Sequence, residues 1–245
     1  RGTPTDSNIL LQSTAGDAIT AGSGTCNIAV GLNAFGAGTT GDDNIAIGRL
    51  AIGTGATTGT GNIGLGISAL SALIGGTNNI AMGLTSSDAL LTGTDNVAIG
   101  RLAFSASTDG ADNIAIGRSA LAVSGNDGDN NIAIGLTAMG GADVSGADNI
   151  AIGRTSADAL TSGSCNIAMG LDALGAATAH SCNNVAIGEL AMGTGVGGGS
   201  AGQGSFNVAL GKSALSAATT GTNNVAIGTN AADSLCSGAY NVAMF

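Results

Sequence analysis

The sequence is poor in the residue types that fill the core of a large globular domain. Its 245 residues include no tryptophan, one tyrosine, four phenylalanines and one proline, and aromatic residues make up 2% of the chain. Glycine is abundant, with 44 residues, and the apolar 44% is mostly alanine with single Ile, Val and Leu residues. This composition argues against one large core. It favours a thin object in which each layer contacts only its neighbours.

Basic residues and long apolar segments are also scarce. The chain has 6 Lys and Arg against 16 Asp and Glu, giving a net charge of −10. We therefore expect no binding to nucleic acid, which needs clustered cations. No apolar run approaches the roughly 18 residues of a membrane helix, so we expect no membrane-spanning segment. The chain opens without Met and ends inside a repeat, so we expect a fragment of a longer protein.

What the sequence does contain is a repeated five-residue word, Asn-[Ile/Val]-Ala-[Ile/Val/Met/Leu]-Gly. Consecutive copies are 17 or 18 residues apart, except for one step of 23. Gly64 replaces Ala in one copy, and Phe245 replaces Gly in the last. A fixed period of this size decides the architecture before any other feature is considered. The word begins at Asn27, Asn44, Asn62, Asn79, Asn96, Asn113, Asn131, Asn149, Asn166, Asn184, Asn207, Asn224 and Asn241.

The repeat predicts an all-β, parallel β-solenoid of about 13 coils. Alternation places Ile45 and Ile47 on one face of a strand and Ala46 on the other, and Gly48 permits a turn. A helix would not tolerate this glycine density. We predict two short strands and two turns per coil, the second strand marked by an apolar residue eight positions after Asn. The pattern leaves open whether the Ile and Val face lies inside the coil or towards a partner chain.

We interpret the chain as one domain. Residues 1–26 form a degenerate first coil, and residues 27–245 form the repeat domain. A loop insertion at residues 193–206 accounts for the step of 23, because extra residues in a solenoid must leave as a loop.

The Asn that opens each word is the first candidate structural site. Asn at the same corner of every coil can hydrogen-bond along the stack, as in other stacked sheets. The alternative is a turn residue that tolerates a left-handed backbone. The predicted ladder consists of Asn27, Asn44, Asn62, Asn79, Asn96, Asn113, Asn131, Asn149, Asn166, Asn184, Asn207 and Asn224.

The fifth residue after Asn is the second candidate site, because it accepts both Leu and Arg. Such a position is either simply exposed or faces a partner chain. In the second case the basic residues would pair with loop aspartates such as Asp43, Asp95, Asp112 or Asp148. The predicted inter-chain seam consists of Arg49, Arg101, Arg118, Arg154 and Lys212.

A longer period covers four coils. Asp17, Asp88, Asp158 and Asp233 each lie nine residues after the first Asn of a coil, and the large apolar residue then shifts by three positions. Duplication of a four-coil block accounts for this pattern. A polar collar that holds a cation or ligand is the alternative.

Residues with catalytic or metal-binding potential are few. His180 lies in a polar loop without an oriented nucleophile and acid. Cys165 and Cys182 fall on adjacent coils, which permits a disulfide or two unpaired thiols, and no CxxC is present for zinc. Asp127 and Asp129 partly resemble a calcium loop but lack its distal Glu. We expect no enzyme activity, no cofactor and no metal site.

The words "NIAIGRSAL" and the following "NIAIG" are similar to the head repeats of YadA-like trimeric autotransporter adhesins. They also resemble phage-type tail fibre repeats of the NxAxG kind, and the likeness covers Asn8 to Phe245. It implies a left-handed β-roll, a homotrimer of chains side by side, and attachment to a host cell-surface receptor or glycan. Two features differ: adhesin heads repeat a shorter unit, and the adhesin neck, coiled-coil stalk and membrane anchor are missing here.

These observations together predict a structural repeat segment of an extracellular or virion fibre that supports or mediates attachment to a host surface. Two alternatives remain open at this point. One is a bacterial surface adhesin head that binds along its side, and the other is a self-assembling extracellular filament. All three place the protein outside the cell, on a virion or on a cell surface.

Overall fold

The computed structural model describes residues 7–19, 24–125, 128–176, 181–194, 204–217 and 220–244. It divides into two compact units, Arg1–Ser119 and Ala120–Phe245. Each unit is a parallel β-solenoid, and the two hold about 13 turns in total. The described residues form strands and turns and contain no helix. The predicted all-β, parallel solenoid is therefore confirmed.

The described part of the first unit contains seven strands of three residues, one at the start of each coil. Each strand runs parallel to the next, and equivalent residues pair, for example Ala29 with Ala46. The degenerate first coil takes part, because its strand pairs with that of the next coil. The strands are β1 (Ile9–Leu11), β2 (Ile28–Val30), β3 (Ile45–Ile47), β4 (Ile63–Leu65), β5 (Ile80–Met82), β6 (Val97–Ile99) and β7 (Ile114–Ile116).

The second unit repeats the same arrangement with seven more strands. All neighbours are parallel and in register, for example Ala151 with Ala168. The strands are β8 (Ile132–Ile134), β9 (Ile150–Ile152), β10 (Ile167–Met169), β11 (Val185–Ile187), β12 (Val208–Leu210), β13 (Val225–Ile227) and β14 (Val242–Met244).

The small residue at the centre of strands β2 to β13 faces the inside of the coil. Ala46 is fully buried, whereas Ile47 on the opposite face is 41% exposed. The β-branched residues therefore point outwards, which answers the question left open by the alternation. The buried strand centres are Ala29, Ala46, Ala81, Ala98, Ala115, Ala133, Ala151, Ala168, Ala186, Ala209 and Ala226.

A second inward residue pair completes the thin core, at the seventh and eighth positions after Asn. The seventh is Ala or Ser, and the eighth is a large apolar residue in most coils. The buried large residues at the eighth position are Phe35, Ile52, Leu70, Phe104, Leu121, Met139, Leu174, Met192 and Leu215. In the coils of Asp88 and Asp158, Leu90 and Leu160 provide the buried apolar side chain instead.

The prediction of two strands per coil is wrong, because each described coil has one strand and the second apolar segment is a turn. The physical reason is visible in the backbone. Leu50 and Ile52, six and eight residues after Asn44, have φ angles of 61° and 46°. These left-handed values are unusual for bulky residues and incompatible with an extended strand. The Leu50 N–H is still hydrogen-bonded between coils, to the Leu32 carbonyl at 2.9 Å.

Backbone hydrogen bonds between coils point in both directions along the stack. In the coil that starts at Asn44, the Ile45 N–H donates to the Asn62 carbonyl of the following coil over 2.8 Å. The Gly48 N–H donates over the same distance to the Val30 carbonyl of the preceding coil. Each coil therefore depends on both of its neighbours, as expected for a solenoid.

Candidate functional site

The buried Asn side chains form a hydrogen-bonded ladder along the stack. Oδ1 of Asn79 accepts the backbone N–H of Asn96 over 3.1 Å and its Nδ2 group over 2.9 Å. The same Nδ2 donates to the Gly110 carbonyl at 2.7 Å. One amide thus joins three successive coils, and its donors and acceptor are used as buried polar groups require.

This arrangement recurs through both units. Within each unit, the backbone N–H of one Asn donates to Oδ1 of the Asn before it. The ladder residues are all at most 1% exposed: Asn27, Asn44, Asn62, Asn79, Asn96, Asn113, Asn131, Asn149, Asn166, Asn184, Asn207 and Asn224. Such side chains hold coils together and are closed to a substrate.

A second, shorter ladder lies two residues before the ladder Asn and was missed by the sequence analysis. In the second unit, the Ala147 N–H donates to Ser164 Oγ over 3.1 Å. The Ser164 N–H then lies 3.4 Å from Cys182 Sγ, and the Cys182 N–H donates to Ser205 Oγ over 3.1 Å. In the first unit, Asp42 plays the same part for Thr25. The recurrence of short polar side chains at this position was the available signal.

The residue directly before each ladder Asn adopts a left-handed backbone. Asp43, Asp95 and Asp112 have φ angles of 57° or 58°, and Cys165 has 59°. Asp and Asn tolerate this conformation better than other residues with a side chain. The Asp-Asn and Asn-Asn pairs in the sequence are therefore a turn signal, and the turn points the first residue of the pair into solvent.

An apolar face runs along each unit, formed by the outward residues at the first and third positions of the strands. Ile47 and Ile187 are 41% and 40% exposed, and the remaining members are half-buried or exposed. Leu32, Ile67 and Leu84, five residues after Asn, extend this face in the first unit. Continuous apolar surface of this kind marks an interaction site in soluble proteins.

The residues of the predicted seam follow the apolar face along the chain, and all of them are exposed. Arg49, Arg101 and Arg118 belong to the first unit, and Arg154 and Lys212 to the second. Among the described residues one ion pair is formed, between Lys212 Nζ and Glu189 Oε2 at 3.2 Å. The residues of the predicted seam thus lie at the surface, and its arginines form no ion pair with any described residue.

Of the four Asp residues that recur every fourth coil, Asp88 and Asp158 are partly buried, whereas Asp17 and Asp233 are exposed. Burial raises the pKa of Asp88 above its ordinary value of 3.8, against the lowering effect of a backbone hydrogen bond. Burial also raises the pKa of Asp158; a hydrogen bond from the Gly141 backbone opposes the shift, and the charge of Asp172 adds to it. Oδ1 of Asp158 is buried without a hydrogen-bond partner. Burial therefore disfavours the ionised form of both carboxylates.

Groups suited to metal chemistry do not come together in the described part of the chain. No cluster of three or more His, Cys, Asp or Glu side chains is found there. All four cysteines are described, and none is in a disulfide. His180 and Asp127, as well as most of the insertion at 193–206, lie outside the described residues.

Among the described residues, no helix has the length and hydropathy needed to cross a bilayer. Comparison of the chain with protein-family models, curated proteins and solved structures gave no match. The geometry of the repeat is therefore the basis for assigning a function.

Proposed function

We propose that this chain is the repeat segment of an extracellular or virion fibre, assembled as a homotrimer of left-handed coils, which supports or mediates attachment to a host surface. Its role in the fibre is mechanical. The ladders and the thin Ala core hold a stack of coils, and a host receptor or glycan is the expected final partner. No residue is assigned a catalytic role.

The observation that carries this proposal is the apolar face. Full burial of an Ile or Val side chain is worth about 1.5–3 kcal/mol, and this face repeats such side chains in every coil of each unit. A partner must match a spacing of about 4.8 Å between coils. A second copy of the same chain necessarily has the same spacing between its coils. It is therefore the partner that matches this apolar face best.

Closure into a ring favours a small oligomer over an open aggregate. In four coils an Asp precedes the strand and an Arg follows it, so one copy can present its basic flank to the acidic flank of the next. Such head-to-tail contacts generate closed rings when the rotation between copies allows it. A ring of three copies satisfies these contacts, and this number agrees with the resemblance of the repeat to trimeric fibres.

Native mass in solution tests the proposal. Light scattering after size exclusion should give three times the 23.0 kDa of one chain. A mass of 23.0 kDa at all accessible concentrations would refute the assembly, and a very large, heterogeneous mass would favour a self-assembling filament instead. Binding of the pure trimer to host cells, with and without additional fibre domains, would then separate a shaft from an adhesive head.

A further inference from the structure

We infer that copies of this chain associate in register, with the Arg of a coil in one copy paired with the Asp of the same coil in the next copy. The inference rests on the proposed oligomer and specifies its contacts. It concerns the basic column (Arg49, Arg101, Arg118 and Arg154, five residues after the ladder Asn) and the acidic column (Asp43, Asp95, Asp112 and Asp148, one residue before it).

The two columns occupy the same coils. Each of these four arginines shares its coil with one of the four aspartates, as in "DNIAIGR" from Asp43 to Arg49. Coils with Asn, Gly, Cys or Phe before the ladder Asn have no Arg at the fifth position. Duplication of the four-coil block explains this only for the coils of Asn44 and Asn113, which occupy the same place in the block, because those of Asn96 and Asn149 occupy two other places. The co-occurrence therefore indicates that the two charges act together.

Within one chain they do not meet. The Asp precedes the strand and the Arg follows it, a separation of up to about 20 Å for six extended residues. Both side chains are exposed, and no described Arg forms an ion pair with any described carboxylate. Asp95 accepts one hydrogen bond, from Nδ2 of Asn78 at 3.2 Å, which leaves its charge uncompensated.

Stacking adds repulsion inside the isolated chain. Asp95 and Asp112 lie on consecutive coils, as do Arg101 and Arg118, so like charges follow one another about 4.8 Å apart along each column. Like charges directly opposite each other on neighbouring strands are destabilising. A neighbouring copy that sets the acidic column beside the basic one relieves both repulsions at once.

The remaining basic residue of the predicted seam supports this interpretation. Lys212 has no Asp in its coil, because Phe206 occupies the position before the ladder Asn. Its charge is instead compensated by Glu189 at the same position of the preceding coil, at 3.2 Å. A basic residue at the fifth position thus either pairs with a carboxylate on a neighbouring coil or shares its coil with an Asp. In the second case only the Asp of another copy can come close to it.

The pairing requires level coils. If one copy were shifted along the stack by one coil, Arg101 would face Asp112 or the neutral Asn78, and Arg49 would face Gly61 or Cys26. Only zero shift gives every member of both columns an opposite charge. In the inferred interface the copies are therefore parallel and are not shifted along the stack. Around the axis they contact one another head-to-tail, and the apolar face lies between the basic and the acidic flank.

Charge reversal with same-coil rescue tests the inference on the full chain. Arg101→Glu places a carboxylate against Asp95 of the next copy and should weaken association about five- to tenfold per interface at low salt. Arg101→Glu combined with Asp95→Lys should restore the native dissociation constant. The measurement is the oligomer fraction across a dilution series by sedimentation, repeated at high salt, where the difference should shrink.

Two mismatched doubles serve as controls: Arg101→Glu with Asp112→Lys, and Arg101→Glu with Asp43→Lys. Neither should rescue if the copies are in register. Rescue by Asp112→Lys in place of Asp95→Lys would overturn the register. If the wild type is a trimer and every variant has the same dissociation constant as the wild type, the inferred ion pairs are refuted. Circular dichroism checks that these exposed substitutions leave the fold intact. A monomeric wild type would instead refute the proposed assembly itself.

Discussion

Asn96 and Asn79 are joined by two hydrogen bonds to a single oxygen, since both the backbone N–H and Nδ2 of Asn96 donate to Oδ1 of Asn79. The backbone bond of this contact repeats from coil to coil within each unit. It makes the ladder Asn the residue on which the stacking of coils most directly depends.

Asn96→Asp should therefore destabilise the fold. The carboxylate cannot donate to Asn79 or to the Gly110 carbonyl, and its charge is buried, so we expect a loss of about 3 kcal/mol in the free energy of unfolding. The exposed Asn183→Asp is the matched control, because Asp already occupies that position in four coils and the adjacent coils have Cys165 and Phe206 there rather than Asp; its effect should stay within about 0.5 kcal/mol. Denaturant unfolding of both variants gives the comparison, and equal stabilities would contradict a stabilising ladder.

Gly100→Ala should also be strongly destabilising. The glycine has a φ of 136°, and an added Cβ would lie 2.5 Å from the carbonyl oxygen of Gly117 on the following coil. Since neither backbone can move without opening the stack, we expect a loss of about 3 kcal/mol or more. Gly75→Ala is the control, because its added Cβ would meet only the Thr92 side chain at 3.9 Å. Thermal melting distinguishes the two, and a harmless Gly100→Ala would mean that the coils are less tightly stacked than described.

Asp158→Asn should stabilise the protein at neutral pH. Burial raises the folded-state pKa of Asp158, so the ionised form carries a penalty in the native state. Stability should fall as the pH rises from 3.8 through the raised folded pKa, and Asp158→Asn should remove that slope. After screening by solvent the gain at neutral pH is about 1 kcal/mol or less. Asp233→Asn, at the equivalent exposed position, is the control, and identical pH profiles for wild type and Asp158→Asn would refute the assignment.

Ile99→Asp should convert the proposed trimer into monomers. The side chain is 36% exposed on the apolar face, so the substitution leaves the coil intact but places a charge where the next copy packs. Thr92→Asp is the control, since Thr92 is exposed four residues before the ladder Asn and Asp109 already occupies that position in the next coil. Light scattering reports the mass of each variant. A trimeric Ile99→Asp protein would exclude this face from the interface.

Cys165 and Cys182 should form a disulfide when treated with oxidised glutathione. The Asn183 N–H donates to the Ser164 carbonyl over 3.1 Å, so the two cysteines are offset by one residue on adjacent coils. That offset gives a Cα separation of about 6 Å, which suits a disulfide. Two protein thiols and one glutathione disulfide would yield the protein disulfide and two glutathione thiols.

Cyanogen bromide offers a direct check, because cleavage at Met139, Met169 and Met192 places the two cysteines on separate peptides. These peptides should stay linked until a reductant is added, and Cys182→Ser should abolish the link. The Cys26→Ser, Cys236→Ser double variant should retain it. A denaturing gel without reductant shows whether the bond lies within one chain. Glutathione attached to Cys165 alone would contradict the prediction.

The period of the repeat predicted the solenoid, the parallel register and the outward or inward alternation, because each follows from spacing alone. The second segment of the coil was misjudged, since an apolar residue such as Ile52 looks like a strand residue but has a left-handed backbone. Whether Ile47 points into the coil or out of it could also be decided only from the structure. Both faces of its strand carry apolar residues. The interior of the coil is too narrow for the larger Ile side chains, so Ala46 faces inwards.

The ladder two residues before Asn left only a weak signal in the sequence, the recurrence of short polar side chains. Ser164 and Cys182 differ in chemistry, and only their shared ability to accept a backbone N–H from the preceding coil unites them. The four-coil Asp was visible as a pattern, whereas its cause was not. The buried, unpaired oxygen of Asp158 arises from packing against a neighbouring coil.

Hydrogen bonds that leave each coil in both directions have one more consequence. Because the N–H groups of Ile45 and Gly48 bind opposite neighbours, the upper and lower surfaces of a coil each offer donors and acceptors in the same pattern. Any coil therefore fits on any other, and a whole coil can be gained or lost without redesign of the rest. The length of the solenoid can therefore change in single-coil steps while the hydrogen bonds at every joint between coils stay the same.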